Sequence, residues 1–334
     1  MESSSIYEVE AVCGNGEKQR FECKYIIDAT GSGNIVKMAG GKVLYGDKDG
    51  NMQPVSLVFR MAGVSFKTLL QFIRNNPDDF ILAENPVMEK DRTKAAELLC
   101  KCGYPYAALA AGGKLLGNAL KKGQMYPCTA MFMTPSSMEI GEICINSTRI
   151  AHLDASSSVT ASKAMLDLSE QMQIAISYLV SSVPGFEKAV LSSVASRLGI
   201  RETGRVIGEY ELKQDDVLSG KKFVTAIGQG AHHVDIHGAG TDQVRIPVKN
   251  GFTYDIPFDC LLPQYLNNVL VAGRCISSDR GANGSVRVMG TCIVTGQASG
   301  VAAAIACKQR INDVRKINID NIRKCLAADG AMLS

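Results

Sequence analysis

The chain has 334 residues, with 36 lysines and arginines against 33 aspartates and glutamates, so its formal net charge is +3. This length corresponds to about two domains. The 46% apolar and 21% charged content is typical of a globular chain and excludes a disordered one. The nearly balanced charge indicates neither nucleic acid nor an anionic membrane as the partner.

The eleven cysteines are scattered along the chain and form no CxxC pair. This pattern predicts reduced, buried thiols in a cytoplasmic protein and no zinc site. The first ten residues lack the basic and apolar regions of a signal peptide. Apolar stretches such as 269–273 and 301–307 are much shorter than the ~20 residues of a membrane span, so no membrane partner is expected.

The chain opens with signals for a hairpin and a buried strand. Two alternating runs, 6–13 and 19–23, flank Asn15-Gly16 and predict a β-hairpin. The apolar run 25–27 then ends in DATGSG, which predicts a parallel strand leading into a ligand-facing loop. The strand–helix–strand unit that usually starts a nucleotide-binding domain does not precede this strand.

The remaining segments alternate between strand and helix signals, which predicts an α/β fold. Further strands are predicted over 52–65, 125–133, 139–146, 206–210, 254–257 and 268–272. Helices are predicted over 67–100 with breaks at Pro77 and Pro86, over 161–182, over 186–198, near Asp215-Asp216, and over 288–309.

The first candidate ligand-binding motif is the glycine-rich run that starts at Gly31. It follows a strand, as a dinucleotide fingerprint does, but Val36 stands where the third glycine belongs. No acidic residue ends a second strand about 20 residues further on. The motif therefore does not predict the primary pyrophosphate site. It predicts either a secondary contact, where the backbone of Ala29, Thr30 and Gly31 approaches a cofactor, or a plain turn.

The second candidate is the strand that ends in Gly273-Arg274, because ligands of open α/β sheets lie at the carboxyl ends of the strands. A segment containing Ser285, Gly290 and Thr291 then opens a long helix. The free amides and the dipole of a helix N-terminus suit an anionic or electron-rich ligand.

The third candidate contains charged and imidazole side chains. If their segment is helical, Arg201 and Arg205 lie on one face and bind a substrate carboxylate; the alternative is pairing with nearby glutamates. His237, with Asp235 near it, is a candidate general acid or base. The spacing of the nearby histidines matches no closed metal site. Motifs of hydrolases and nucleoside triphosphatases are absent from the sequence.

Several ordered segments resemble one known family. They include YIIDATGSGNIVKMAGG, INSTRI, RETGRVIGEYELKQDD, VDIHG, and the long stretch from IPFDCLLPQYLNN to TGQASG. Together they are similar to FAD-dependent oxidoreductases that are distantly related to the flavin subunits of fumarate reductase and succinate dehydrogenase. The resemblance covers about residues 24–307.

This resemblance implies a discontinuous, Rossmann-like FAD domain with an inserted α+β substrate domain. The expected boundaries are 1–50 and 259–334 for the FAD domain and 51–258 for the substrate domain. Ala29–Gly31, Gly273-Arg274 and the Ser285–Thr291 helix start would lie near FAD, and Arg287 would stabilise negative charge on the flavin. Gly204 departs from the family pattern, which usually has a larger residue there.

The family usually begins with a GxGxxG motif, which this sequence does not contain. We therefore expect an N-terminally truncated FAD domain whose activity needs the missing part. The predicted function is hydride transfer between a small organic substrate and flavin. The alternative is a non-catalytic remnant or partner-binding subunit that does not bind FAD alone. The expected partners are a small-molecule substrate, a separate N-terminal polypeptide and a second copy of the chain. The second copy is expected because strands 25–30 and 268–272 would expose apolar surface.

Overall fold

The computed structural model describes residues 4–84 and 90–334 and divides into two compact units. Unit 1 comprises the chain up to Gly50 together with Glu202–Asp235 and Ile246–Ser334. Unit 2 comprises Asn51–Arg201 and Ile236–Arg245. The predicted substrate domain, 51–258, therefore extends further than unit 2, although both begin at the same residue.

The strands are β1 (Glu8–Val12), β2 (Lys18–Glu22), β3 (Ile26–Asp28), β4 (Val43–Tyr45), β5 (Phe59–Ala62), β6 (Phe80–Ile81), β7 (Ala107–Ala110), β8 (Ala130–Ser137), β9 (Glu142–Asn146), β10 (Val190–Val194), β11 (Gly204–Val206), β12 (Ala226–Gly230), β13 (Val234–His237), β14 (Gln243–Ile246), β15 (Tyr254–Pro257) and β16 (Val269–Val271). The helices are α1 (Asn34–Met38), α2 (Phe66–Asn75), α3 (Arg92–Cys102), α4 (Lys114–Lys121), α5 (Ser158–Ser182), α6 (Gln214–Ser219), α7 (Arg280–Val286), α8 (Met289–Gln309) and α9 (Ile319–Ala328).

In unit 1, β3 and β16 form a parallel pair in which Ile26 lies opposite Val269. The predicted hairpin is confirmed, because β1 and β2 pair in antiparallel register. The long helix α8 contacts both parallel strands, and the hydroxyl of Ser299 donates to the carbonyl of Val271 over 3.0 Å. All three side chains of β16 are buried, whereas Ile27 of β3 is exposed. The expectation of exposed apolar surface therefore holds for β3 and is wrong for β16.

Helix α8 contains a longer apolar stretch than the segments 269–273 and 301–307 that the sequence indicated. Its 21 residues have the length and composition of a membrane span, although about a third of that stretch is buried in the protein. Core helices share these properties, and Ala298, Ala302 and Ala306 of α8 are buried in unit 1. The cysteines also differ from expectation: all eleven are free thiols, but only Cys128, Cys260 and Cys275 are buried.

Unit 2 is built on an antiparallel sheet of six strands in the order β10-β5-β9-β8-β7-β6. Helices α2 to α5 pack around it, and the shared core includes Phe59, Leu69, Met131 and Leu179. The predicted helix 161–182 is confirmed by α5. The predicted 67–100 helix is two helices with a 3₁₀ turn at Pro77–Asp79 between them, and the predicted break at Pro86 lies outside the described residues.

The predicted helix 186–198 is wrong, because the segment contains strand β10, paired antiparallel with β5. Valines and leucine at three- and four-residue spacing gave it a helical pattern. In the structure, however, Val190, Leu191 and Val194 are all exposed, so the spacing marks no buried helix face. The edge of β5 offers hydrogen-bond partners for an extended chain, and this tertiary pairing overrides the local pattern.

Candidate functional site

The loop after β3 is organised by the buried carboxylate of Asp28. Its Oδ1 accepts hydrogen bonds from the amide and hydroxyl of Thr30 at 3.1 and 2.7 Å. Its Oδ2 accepts from the amides of Ile35 and Val36 at 2.9 and 3.1 Å. These amides belong to the first turn of α1, so the protein's own carboxylate already binds this helix end. The structure thus supports the prediction that the run from Gly31 is not the primary pyrophosphate site.

Gly31 and Arg274 lie against each other at the end of the two parallel strands. The Nε of Arg274 donates to the Gly31 carbonyl over 2.8 Å, as does the hydroxyl of Thr203. Gly31 has a φ of +72°, and a Cβ there would lie 3.0 Å from the Arg274 guanidinium carbon. Burial lowers the pKa of Arg274, against the opposing effect of Cys275. The loop therefore requires glycine at this position and positions Arg274 beside it.

An exposed surface of small residues adjoins this loop. Ala29 and Thr30 are exposed. A Cβ at Gly273 would have only the Cys292 sulfur, at 3.9 Å, within contact distance, and one at Gly290 would meet open space. The Gly273 amide donates to the hydroxyl of Thr295 over 3.0 Å. We call Ala29, Thr30, Gly273 and Gly290 the glycine surface; it lets a ligand approach the backbone closely.

Two other predicted cofactor residues point inward. Ser285 is fully buried; its hydroxyl donates to the His232 carbonyl over 2.6 Å and lies 2.7 Å from the hydroxyl of Tyr254. The Thr291 hydroxyl donates to the carbonyl of Val288 over 2.9 Å. These internal bonds occupy both hydroxyls, and the binding of FAD by Ser285 and Thr291 stays a prediction. At the start of α8, Met289 and Gly290 are the exposed residues.

Arg205 has a structural role in unit 1. It pairs with the buried Glu202 and donates to the carbonyls of Ser278 and Gly46 at 3.2 and 2.9 Å. Glu202 also lies 3.3 Å from the Nε of Arg280, whose side chain is partly exposed, so the buried carboxylate contacts two arginines. Arg205 lies in strand β11 and not in a helix. The expectation that Arg205 shares a helical face with Arg201 is therefore wrong, and the alternative of pairing with a glutamate is confirmed.

Arg201 and His237 instead line a small polar cavity within unit 2. One Arg201 nitrogen, Nη1, donates to the Pro54 carbonyl and the Ser56 hydroxyl at 2.9 and 2.7 Å. His237 is buried, and its backbone amide donates to Gln53 over 3.2 Å. The cavity has room for about one water molecule. Its walls are formed by Pro54, Thr129, Ala130, Phe132, Asn146, Ser147, Thr148, Arg149, Arg201 and His237.

Arg149 lines the cavity but was not among the site residues predicted from the sequence. The side chain of Gln171 holds its backbone from both sides, at 2.8 Å to the amide and 3.0 Å to the carbonyl. Its guanidinium donates to the Gly238 carbonyl. The available signal was its place in INSTRI, three residues after the strand that ends at Asn146.

Arg287 lies between α7 and α8 and contacts Asp235. Its Nη2 donates to the Asp235 carbonyl over 3.0 Å and lies 3.6 Å from a carboxylate oxygen of the same residue. Burial lowers the pKa of Arg287, while Asp235 opposes that shift. The arrangement is a partly buried ion pair, which has a larger electrostatic effect than a fully solvated surface contact.

A family model described as FAD dependent oxidoreductase matches residues 1–326, nearly the whole chain. The protein belongs to the FAD dependent oxidoreductase family. The family indicates FAD as the cofactor of this oxidoreductase. Neither a curated protein nor a solved structure matches the chain significantly.

The glycine surface of this FAD dependent oxidoreductase suits its cofactor. FAD presents a flat ring system, and close packing against it requires backbone without projecting side chains. A Cβ at Gly290 would have no neighbour, and one at Gly273 would have a single neighbour. The ring system can therefore approach the backbone at both glycines. The structure is therefore compatible with the predicted FAD contacts at Ala29, Thr30, Gly31, Gly273, Arg274 and Gly290.

Proposed function

We propose that the protein transfers a hydride between a small organic substrate and FAD. FAD supplies the redox chemistry when it is bound, and the protein supplies orientation and electrostatics. The observation that carries this proposal is the glycine surface beside Arg274, because it combines open backbone with a fixed cation.

Within this function, we assign the two units different tasks. Unit 1 is the Rossmann-like FAD domain, interrupted in sequence by unit 2, which acts as the inserted substrate domain. The resemblance to the flavin subunits of fumarate reductase and succinate dehydrogenase, which the sequence segments predict, would give the same division. In unit 2, we propose that Arg149 and Arg201 favour an anionic oxygen of the substrate in place of the single water that the cavity can hold. His237 is the candidate for moving a proton.

The GxGxxG motif that binds the FAD pyrophosphate in this family is not present in these 334 residues. We propose that a polypeptide segment outside these 334 residues supplies it and completes the cofactor site. The carboxylate of Asp28 strengthens this inference, because it already binds the first amides of α1. The chain by itself should therefore bind FAD weakly.

The alternative function is a partner-binding subunit that has lost the cofactor. The same Asp28 contacts favour it, since they remove one potential phosphate site. The two functions differ in the visible spectrum of the purified chain with FAD and a GxGxxG-containing polypeptide added. A flavin spectrum that survives dialysis supports the oxidoreductase, whereas no retained flavin supports the alternative. Stoichiometric FAD on the chain alone would contradict the need for a second polypeptide.

Two matched variants of α8 locate the cofactor. Gly290→Leu places a side chain on the glycine surface, whereas Gly296→Leu adds the same side chain further along the helix; a Cβ at either position meets open space. The two positions are about 9 Å apart along the axis. Gly290→Leu should abolish flavin retention and Gly296→Leu should preserve it. Equal retention in both variants would remove Gly290 from the FAD site.

A further inference from the structure

The edge strand β10 has a composition that is unusual for an exposed sheet edge. It reads VLSSV, contains no charged residue, and is exposed at all five positions. Val190 is 63% exposed and Val194 is 41% exposed. An exposed, uncharged edge with β-branched residues is a template for another strand, because its outer backbone groups lack a ladder partner. Within residues 4–84 and 90–334, β5 is the single strand paired with β10.

The apolar surface continues beyond the strand. Ile140, in the turn between β8 and β9, is 56% exposed. Its carbonyl accepts a hydrogen bond from the Gly63 amide over 3.1 Å. A Cβ on Gly63 would lie 3.3 Å from the Lys188 carbonyl, just before β10. Ile140 and the exposed Lys188 therefore both lie near the Val190 end of β10.

We infer that β10 pairs with β10 of a second copy of this chain. The strand is self-complementary when two copies run antiparallel around Ser192. Val190 then lies opposite Val194, and Leu191 lies opposite Ser193. Pairs of β-branched residues stabilise neighbouring strands, and no like charges meet within the strand.

The charges that flank β10 agree with the same arrangement. Glu187 and Arg197 are both exposed and lie five positions before and after Ser192. In an antiparallel pair, Glu187 of one copy comes to the end of the strand where Arg197 of the other copy lies. The two-fold symmetry creates this opposite-charge contact twice. This self-complementarity of both flanks favours a second copy as the occupant.

The contact is short and the resulting dimer is weak. The ladder with β5 contains a bulge between Leu191 and Ser193, and a bulge increases the local twist of a strand. Five residues span about 17 Å, and interfaces below about 1,200 Å² belong to the transient class. We therefore expect a dimer whose population rises with protein concentration.

The test is sedimentation velocity of the full chain over a wide concentration range, together with charge-reversed variants. Glu187→Arg and Arg197→Glu should each weaken association by about tenfold, because each places like charges at both strand ends. The double variant should restore it, because the charges are exchanged and still complementary. Restoration also shows that the variants fold. Arg197→Glu is the cleaner single change, since Glu187 accepts a hydrogen bond from the Gly185 amide over 3.0 Å.

Hydrogen exchange identifies the surface directly. The backbone amides of 190–194 should become protected as the protein concentration rises. Val224→Glu is the control, because Val224 is 89% exposed and lies in unit 1; this variant should dimerise like the wild type. A chain that is monomeric at every concentration would overturn the inference. So would a dimer that neither charge reversal weakens, because its interface would lie elsewhere.

Discussion

The Oδ2 atom of Asp28 lies 3.1 Å from the backbone nitrogen of Val36, eight positions further along the chain. Val36 occupies the position of the third glycine in a dinucleotide fingerprint. Because this buried carboxylate already accepts the hydrogen bonds of the helix start, a phosphate there would meet a like charge. The loop resembles a phosphate-binding turn in sequence, but its amides bind the protein's own anion. The surface beside it, at Gly273 and Gly290, remains open for the cofactor.

Asp28→Asn should lower the free energy of unfolding by about 2–3 kcal/mol, the range for hydrogen bonds to a charged group. The amide nitrogen of asparagine cannot accept from Thr30, Ile35 or Val36, so at least one buried donor loses its partner. Urea unfolding measures the change. Asp167→Asn, on an exposed position of α5, should change stability by less than about 0.5 kcal/mol. Equal effects of the two substitutions would show that the Asp28 contacts contribute little.

Arg205→Met should destabilise unit 1 by about 3–5 kcal/mol, because it leaves the carboxylate of Glu202 in a buried position with one cation fewer. Adding Glu202→Leu should recover part of that loss, since no unpaired carboxylate then remains and Arg280 retains Asp47 at 3.8 Å. Chemical unfolding of the wild type, the single variant and the double variant checks this order. A double variant less stable than Arg205→Met would contradict it.

The stability of unit 1 should depend on the charge of Asp216. Burial raises the pKa of Asp216, but hydrogen bonds from Lys221, Tyr210 and the Lys213 amide outweigh that effect and hold it below 3.8. A depressed carboxyl pKa stabilises the folded state above the unfolded pKa. That stability is lost as the pH falls through the folded pKa.

The difference in unfolding free energy between wild type and Asp216→Asn should therefore be largest above about pH 4 and shrink toward lower pH. Unfolding curves recorded at a series of pH values provide the measurement. The control is Asp215→Asn, because Asp215 is exposed on the same helix and its substitution should leave the pH profile unchanged. A constant difference at all pH values would rule out this role for Asp216.

Arg287→Gln should lower the reduction potential of bound flavin in the complex with a GxGxxG-containing polypeptide. Arg287 comes two residues before the start of α8, and its positively charged guanidinium would favour an electron-rich ligand there. The shift should amount to tens of millivolts, at about 30 mV for each 1.4 kcal/mol. Arg287→Lys keeps the charge and should restore most of the potential. Arg310→Gln, at an exposed position, is the control. An unchanged potential at equal flavin occupancy would assign Arg287 a purely structural pairing with Asp235.

Local sequence patterns were sufficient to predict those elements whose structure is determined by residues that are close together along the chain. Asn15-Gly16 predicted the hairpin because the turn itself demands those residues. The apolar strands around Ile26 and Val269 were predicted because continuous apolar runs bounded by glycine are typical of buried parallel strands. The spacing in α5 was sufficient because its buried side chains, including Leu168 and Met172, repeat with the helical period. The family resemblance likewise depended on ordered local segments, and the match over residues 1–326 confirmed an FAD-dependent oxidoreductase.

The tertiary structure decided the roles of individual polar residues, because those roles depend on partners far away in sequence. Arg205 has a structural role because its guanidinium donates a hydrogen bond to the carbonyl of Gly46, 159 positions away. Ser285 turned inward because the His232 carbonyl lies within hydrogen-bond distance. Val190–Val194 became a strand because β5 offered an open edge, although the local spacing favoured a helix. Burial and hydrogen-bond partners determine whether a charge or hydroxyl is available to a ligand, and neither is encoded by local spacing alone.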